Sequence, residues 1–273
     1  MSTEGHMNAE NKIPLLHPEL SYAVTGAAMS VHRELGPGWD ESAYHAALLH
    51  VLECRGIKAE SKVRGVLDNH GLTADEFELD ILVEDTIILE LKHLTGPFAP
   101  AHHLQLINYL KFWNKNLGML VNFGLERLQY KRVPFTPVAG VLHHTGRRDE
   151  FGKKNSKIAG QIDSLFSSIP ASHGLGYSVK TYRGLFETEC AFRHIQYNTP
   201  AVNLHYEDAA IGERPVDAYS LDSTVLISIT ALSDRSSATD LARLLSYMRQ
   251  TGTDTGVLAN FGKTSLELRY LTQ

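Results

Sequence analysis

An internal repeat limits the folds open to this chain more than any other feature. The segment GMLVNFG, which begins at Gly118, matches GVLANFG, which begins at Gly256 and lies 138 residues further on. The same offset aligns Tyr44 with Tyr182. Smaller matches at this offset extend from one end of each half to the other. A match that holds one offset over such a span indicates two copies of one structural unit.

The repeat divides the chain of 273 residues into two copies and a connection. We expect a first domain at 13–135, a linker at 136–155 and a second domain at 156–273. The linker assignment depends on the glycine, histidine and charged residues of that segment.

Each copy has the pattern of an α/β domain. Apolar residues recur at helical spacing before Gly36, and Asp40 suits the start of the next helix. In the first copy we predict helices at 18–35, 40–55 and 101–116 and strands at 57–67, 76–83, 87–94 and 118–124. This order predicts a small mixed sheet flanked by helices.

The segment ELDILVEDTIILELKHL, at 78–94, places charged residues inside what otherwise reads as buried strand. If a three-residue loop closes a hairpin here, Asp80 lies opposite Glu90. Side chains alternate along a strand, so Asp80, Glu90 and Lys92 share one face. Two carboxylates and an ammonium group would then converge on one side of the hairpin.

Neighbouring carboxylates repel one another unless a cation or a proton lies between them. Mg²⁺ takes a few carboxylate oxygens and keeps open water positions, which lets it polarise a phosphoryl oxygen and activate water. A lysine such as Lys92 would orient that water or stabilise charge on the phosphate. The group therefore suits metal-assisted hydrolysis of a phosphodiester. The competing interpretation is an edge strand whose charged residues face solvent.

Two helical segments add polar residues to this set. Glu41 and Tyr44 lie on one face at the start of the second helix. A purely structural interpretation is that Glu41 complements the helix dipole while Tyr44 belongs to the core. Gln105 and Tyr109 share a face of the third helix, where both would donate hydrogen bonds to a phosphate or to water.

Taken together, these motifs resemble the bacterial GxxExxY protein family, which belongs to the PD-(D/E)xK nuclease superfamily. The resemblance covers about 20–133. The motifs that carry it are G-x-x-E-x-x-Y at 38–44, Asp80, Glu-Leu-Lys at 90–92, His102, Gln105, Tyr109 and Asn-Phe-Gly at 122–124. It implies two tandem nuclease-like α/β/α domains, each with a small mixed central sheet flanked by helices.

The resemblance also implies a site. The residues that it implies in catalysis are Glu41, Asp80, Glu90, Lys92, Gln105 and Tyr109. The three carboxylates among them would bind Mg²⁺ or Mn²⁺, and the lysine would assist the attacking water. The glutamine and tyrosine match a helix motif of RecB-like members, many of which act on DNA ends or single strands. Leu79 stands where the superfamily pattern nominally has proline.

The second copy keeps the residues that shape the fold and lacks the charged ones. The replacements at the repeat offset are Val179 for Glu41, Ser228 for Glu90, Thr230 for Lys92 and Arg243 for Gln105. Asp217 lies one residue from the position of Asp80, and a small register shift would make it the counterpart. We therefore expect a degenerate pseudo-nuclease domain and a single live site that nicks or trims one strand.

Two roles are open for the second copy. It would hold DNA through basic residues, which are Lys180, Arg183, Arg193, Arg243 and Arg249, or it would cover apolar surface of the first copy. In either role the halves form an intramolecular pseudo-dimer. Cutting both strands would then require a homo-oligomer, which the sequence leaves open.

Composition limits the partners and the location. The formal net charge is -5, and residues 1–136 hold 12 Lys and Arg against 17 Asp and Glu. That balance suits acids that hold a cation and is a poor electrostatic footprint for duplex DNA. With no apolar run of membrane length and no secretory signal pattern, we expect a cytoplasmic protein with no membrane partner. The expected partner is DNA, single-stranded or duplex, with RNA left open.

A metal-dependent nuclease acting on DNA is the leading hypothesis. The alternative is a non-catalytic nucleic-acid-binding or scaffolding protein that retains a nuclease fold, which the negative charge and the degenerate copy favour. The intact acids of the first copy argue against it. A zinc protein is a third interpretation, but adjacent pairs such as His102 and His103 cannot both reach one ion from a regular helix.

Overall fold

The computed structural model describes residues 15–138, 140–154 and 156–273. The first half has three helices, α1 (Pro18–Leu35), α2 (Glu41–Cys54) and α3 (Pro100–Phe112). Its sheet contains, in spatial order, β1 (Ala59–Asn69), β2 (Leu72–Val83), β3 (Ile87–Lys92), β4 (Leu117–Asn122) and β5 (Gln129–Pro134). Strands β3 and β4 are parallel and the other neighbours are antiparallel, so the sheet is mixed.

Local sequence explains why the central elements form. Val24, Ala27 and Val31 of α1 recur at spacings of three and four and are buried. Helix α2 begins after Asp40, whose side chain accepts a hydrogen bond from the N–H of Ala43 at 2.8 Å. Strand β3 is buried along its length up to Lys92, as expected for a central strand covered on both faces.

The second half repeats this plan around a separate mixed sheet. Its helices are α4 (Arg148–Lys154), α5 (Ser156–His173), α6 (Val179–Phe192) and α7 (Ala238–Thr251). Its strands are β6 (Val141–Gly146), β7 (Tyr197–Asn198), β8 (Ala201–Tyr206), β9 (Ala209–Pro215), β10 (Tyr219–Leu221), β11 (Val225–Ala231), β12 (Thr255–Phe261) and β13 (Ser265–Thr272). The sheet order is β6-β13-β12-β11-β10-β7, with β8 and β9 as a separate hairpin. The predicted α/β class is confirmed.

The segment expected to be a linker contributes to the second sheet. Strand β6 pairs in parallel with β13, and Phe151 of α4 is buried against Tyr270 at 4.9 Å between ring centroids. Strand β6 could not be predicted from the sequence, because it is an exposed edge strand and lacks an alternating apolar pattern. Within the domains and the linker expected from the sequence, residues 13, 14, 139 and 155 lie outside the described part of the chain.

The two halves share one hydrophobic core. One face of the first sheet packs against α1 and α2, while the other face packs against α3 and the second half. The shared cluster includes Leu79 and Tyr109 of the first half and Tyr182 and Leu185 of the second. In the described residues, no helix has both the length and the apolar character needed to cross a membrane.

The β1–β2 hairpin makes most of the polar contacts between the halves. Asp75 is buried and accepts hydrogen bonds from Lys180 at 2.5 Å and from the Thr181 hydroxyl at 2.8 Å. Asn69 donates to the Thr188 hydroxyl at 3.0 Å. These contacts fix the hairpin on α6, because breaking them would leave the buried Asp75 carboxylate with only the N–H of Glu76 as a partner.

Candidate active site

The β2–β3 hairpin has the register that the sequence predicts. Val83 pairs with Ile87 across a three-residue loop, and the pairing continues as far as Ile81 and Leu89. Glu84 and Asp85 in the loop both have φ near +48°. Asp80 and Glu90 follow immediately after the last pair, at the point where the two strands part.

Asp80 occupies the gap between the parting strands. It is 6% exposed, and its Oδ2 accepts a hydrogen bond from the backbone N–H of Leu91 at 2.8 Å. Its Oδ1 lies 2.6 Å from Nζ of Lys62 on β1. The carboxylate therefore connects three strands of the sheet at one point.

At Asp80, the apolar side chains of β2 switch from one layer of the protein to the other. Ile81 and Val83 pack with α1 and α2, whereas Phe77 and Leu79 pack with α3 and the second half. Lys62, which faces Asp80 between the pairs Ser61–Ile81 and Val63–Leu79, has φ 50°. A left-handed conformation in a non-glycine strand residue accounts for the change of direction.

Glu90 is 2% exposed and has a partner for only one of its oxygens. Its Oε1 lies 2.5 Å from Nζ of Lys92, while its buried Oε2 has no hydrogen-bond partner in the described part of the chain. Burial, assisted by the charges of Asp80 and Glu41, raises the pKa of Glu90 to about 7 against the opposing effect of Lys92. An unpartnered buried carboxylate oxygen is the group that a hard cation would complete.

Glu41 does not complete a three-carboxylate site with Asp80 and Glu90. Within the described residues, no three His, Cys, Asp or Glu side chains lie close enough to hold one metal ion. Glu41 is the first residue of α2, and its charge reaches Glu90 and Lys62 without direct contact. Asp80 and Glu90 by themselves still fit Mg²⁺, which is commonly held by one or two carboxylates with water and substrate oxygens.

Helix α3 brings its predicted polar pair to the same face of the sheet. Gln105 Nε2 donates to the hydroxyl of Tyr109 at 2.9 Å, so the two side chains are bonded to each other. Tyr109 is 8% exposed; burial raises its pKa to about 12, and the charges of Glu90 and Asp80 add to the shift. His102 instead accepts the N–H of Ala99 at the start of α3, which is a structural contact.

The repeated tyrosines and phenylalanines have structural roles in both halves. Tyr44 donates to the carbonyl oxygen of Gly36 and stacks on Phe123 with centroids 4.6 Å apart. In the second half Tyr182 donates to Gly174 and stacks on its own phenylalanine at 3.8 Å. These residues therefore hold the first helix, second helix and sheet together, whether or not charged residues lie nearby.

The second half has the same hairpin register with uncharged residues. Leu221 pairs with Val225 as Val83 pairs with Ile87, so the repeat offset is kept without a shift. The position of Asp80 is therefore held by Ala218, and the expected register shift that would make Asp217 its counterpart is wrong. Asp217 instead pairs with Arg183 at 2.6 Å.

Sequence reasoning missed two residues beside Asp80. Lys62 forms the ion pair described above, and His45 Nε2 lies 3.2 Å from both the Asp80 carbonyl oxygen and the Ser61 hydroxyl. Pairing the predicted strand at 57–67 with the one at 76–83 would have placed Lys62 opposite Asp80. The position of His45 one turn after Glu41 was the corresponding signal on α2.

A protein-family model agrees with this architecture. The family model described as PD-(D/E)XK nuclease superfamily matches residues 18–133 and again residues 156–270. A solved structure entitled "Crystal structure of SSO0001" is similar to 43% of this chain at 18% identity and a TM-score of 0.28, and the match spans 61% of that structure's chain. No curated protein matches the chain. Since the two family matches together cover most of the residues, the chain belongs to the PD-(D/E)XK nuclease superfamily, with its nuclease domain present in tandem.

Proposed function

We propose that this protein is a metal-dependent nuclease that hydrolyses phosphodiester bonds of DNA at a single live site in its first half. The observation that supports this most strongly is the buried pair Asp80 and Glu90, in which Glu90 Oε2 lacks a hydrogen-bond partner among the described residues. Each carboxylate has one lysine partner, but two neighbouring buried carboxylates still cost free energy unless a cation or a proton lies between them.

Asp80 and Glu90 would hold Mg²⁺ or Mn²⁺, with Glu41 joining them through water or after a change of rotamer. The ion, when bound, would supply polarisation of the scissile phosphate and a lowered pKa for the attacking water. Lys92, whose Nζ lies 2.5 Å from Glu90 Oε1, would orient that water and balance charge on the phosphate. Gln105 and Tyr109, which lie on the same face of the sheet, would provide further hydrogen-bond donors.

The second half supports the first as a degenerate domain that covers apolar surface. The residues at the positions of Glu41, Asp80, Glu90 and Lys92 are Val179, Ala218, Ser228 and Thr230. Of the five basic residues that the sequence offers for DNA binding, three form close ion pairs with the chain's own carboxylates: Lys180 with Asp75, Arg183 with Asp217 and Arg193 with Glu189. Paired cations contribute little to nucleic-acid binding, so the packing role is favoured over DNA binding.

A nuclease assay with matched variants tests this proposal. Supercoiled plasmid and labelled single-stranded and duplex oligonucleotides would be incubated with the protein in Mg²⁺, Mn²⁺ or EDTA. Metal-dependent cleavage should be lost in Glu90→Gln and in Lys92→Met. It should persist in Lys115→Met, whose lysine pairs with Asp85 at the far end of the hairpin. Intact substrates under every condition would contradict the proposal.

A non-catalytic nucleic-acid-binding or scaffolding protein is the second candidate. The lack of a three-ligand metal cluster in the described residues favours it. Thermal melting separates the two candidates, because a ligand that binds only the folded state raises its melting temperature. Stabilisation by Mg²⁺ or Mn²⁺ that disappears in Glu90→Gln supports the nuclease, and equal melting temperatures with and without metal support the scaffold.

A further inference from the structure

Lys62 occupies an unusual position for a lysine in a strand. Its backbone is in the left-handed region with φ 50°, and its Nζ lies 2.6 Å from Asp80 Oδ1. The Asp80 side chain is 9% exposed, whereas that of Lys62 is 47% exposed. The lysine therefore reaches the buried carboxylate from the solvent side of the site.

Two lysines pair with the two buried acids of the site. Lys92 lies against Glu90 and Lys62 lies against Asp80. The two lysines differ in freedom, because the side chain of Lys92 is only 15% exposed. Of the two, Lys62 is the one that can leave its carboxylate without crossing packed protein.

We propose that Lys62 is the counter-ion of Asp80 in the metal-free protein and a phosphate-binding residue once a divalent cation is bound. This inference rests on the proposed nuclease function. A cation at Asp80 would compete with the Lys62 ammonium group for Oδ1. Lys62 would then turn to the solvent side of the site, where a phosphodiester oxygen of the substrate accepts its hydrogen bonds.

The exchange accounts for both odd features of Lys62. The left-handed backbone directs a long flexible side chain over Asp80 while the β1–β2 hairpin changes layer. Lys92, whose side chain is only 15% exposed, has less room to move away from Glu90. A lysine with a flexible four-carbon stem and a half-exposed side chain can pair with two anions in turn.

The inference predicts opposite effects of one substitution on two ligands. Lys62→Met removes the competing cation, so the dissociation constant for Mg²⁺ without nucleic acid should fall by about two- to fivefold, within the range of a partly exposed ion pair. The same substitution should weaken binding of a labelled oligonucleotide in Mg²⁺ by a similar factor. A residue with only a structural role would weaken both or neither.

Metal binding would be measured by calorimetry and by melting temperature on the full chain. Oligonucleotide binding would be measured by fluorescence anisotropy in the Lys92→Met background, where cleavage is blocked. Lys58→Met is the matched control, because Lys58 precedes the same strand, is 69% exposed and pairs with Glu60. Lys62→Arg keeps the charge and should retain oligonucleotide binding.

The results separate this inference from the proposed function. Tighter Mg²⁺ binding together with weaker oligonucleotide binding in Lys62→Met, with Lys58→Met unchanged, supports the double role. Mg²⁺ binding by the wild type with unaltered affinity in Lys62→Met overturns the role of Lys62 alone. No Mg²⁺ or Mn²⁺ binding by the wild type overturns the proposed function and this inference with it.

Discussion

Glu90 is the residue whose ionisation most directly reports the state of the site. Its pKa is raised from an ordinary value of 4.5 to about 7, chiefly by burial. The folded chain therefore holds a proton that the unfolded chain releases, and this contribution to stability is complete below about pH 4.5. It is lost as the pH rises through about 7.

Removing this titration should flatten the pH dependence of stability. In EDTA, the free energy of unfolding of the wild type should fall by ~2 kcal/mol relative to Glu90→Gln between pH 5.5 and pH 8. Urea denaturation of both proteins across that range measures the difference. Glu78→Gln is the control, because Glu78 is in a more exposed pair with Arg64. Parallel curves for the wild type and Glu90→Gln would show that Glu90 ionises normally.

The sequence predicted the hairpin that carries Asp80, Glu90 and Lys92 better than it predicted their contacts. The spacing of Asp80, Glu90 and Lys92 sufficed to place them on one hairpin, because strand alternation is regular. It could not place Glu41, whose distance from Asp80 depends on how α2 packs on the sheet. The conserved spacing of Tyr44 and Tyr182 indicated the fold alone, since their rings stack in both halves irrespective of charge.

At the level of elements, the contact between α6 and β2 is the closest packing across the two halves. A Cβ atom added at Gly184 of α6 would lie 1.8 Å from the carbonyl oxygen of Ala74 on β2. The first-half residue at the equivalent position is Ala46, which is exposed. Glycine at 184 therefore allows a backbone approach that the first half does not make.

Gly184→Ala should separate α6 from β2 and destabilise the protein. We expect the free energy of unfolding to fall by about 2–3 kcal/mol, because backbone on both sides must move. Gly160→Ala is the control: Gly160 lies in α5 with no atom within 4 Å of an added Cβ, and alanine there should stabilise by about 0.5–1 kcal/mol. Denaturant unfolding measures both, and equal effects of the two substitutions would contradict the packing argument.

The β1–β2 hairpin shows what the sequence did not predict at the level of elements. The strand predicted at 57–67 is Ala59–Asn69 in the structure, shifted by two residues, and the strand predicted at 76–83 is Leu72–Val83, which begins four residues earlier. The additional residues extend to α6 of the other half. Periodicity within a strand carries no information about a partner more than a hundred residues away, and the left-handed Lys62 at the change of layer has no sequence signal.

At the level of the whole molecule, the two halves do not pack as a two-fold pair. The β1–β2 hairpin of the first half docks on α6 of the second, whereas β8 of the second half packs against α7 of its own half. The contacts are therefore heterologous, and each half has a different environment. The pseudo-dimer expected from the sequence exists as a shared core without internal symmetry.

A shared core predicts that the first half is unstable alone. A chain that ends at residue 138 would expose the buried residues that face the second half, which include Phe77, Leu79 and Tyr109. An apolar patch of this kind leads to aggregation. We expect the fragment to be insoluble or to bind hydrophobic dyes, and to be rescued by co-expression with residues 139–273. A monomeric fragment with a cooperative melting transition would contradict this.

One live site in an asymmetric chain predicts the products of cleavage, if the proposed nuclease function is correct. Nuclease domains that cut both strands at one place commonly pair two active sites about a two-fold axis. Here the equivalent positions of the second half carry Ala218, Ser228 and Thr230, and the halves are not related by such an axis. A single chain should therefore nick supercoiled plasmid, and nicked circles should accumulate before linear DNA appears.

The rate of nicking should rise in proportion to protein concentration, whereas the rate of direct linearisation should rise with the square of that concentration if two chains must associate. Plasmid cleavage over a tenfold range of protein concentration, followed on agarose gels, distinguishes the two orders. Linear product that appears without a nicked intermediate and at first order in protein would show that both strands are cut by one chain, and the second half would then have to contribute a site of its own.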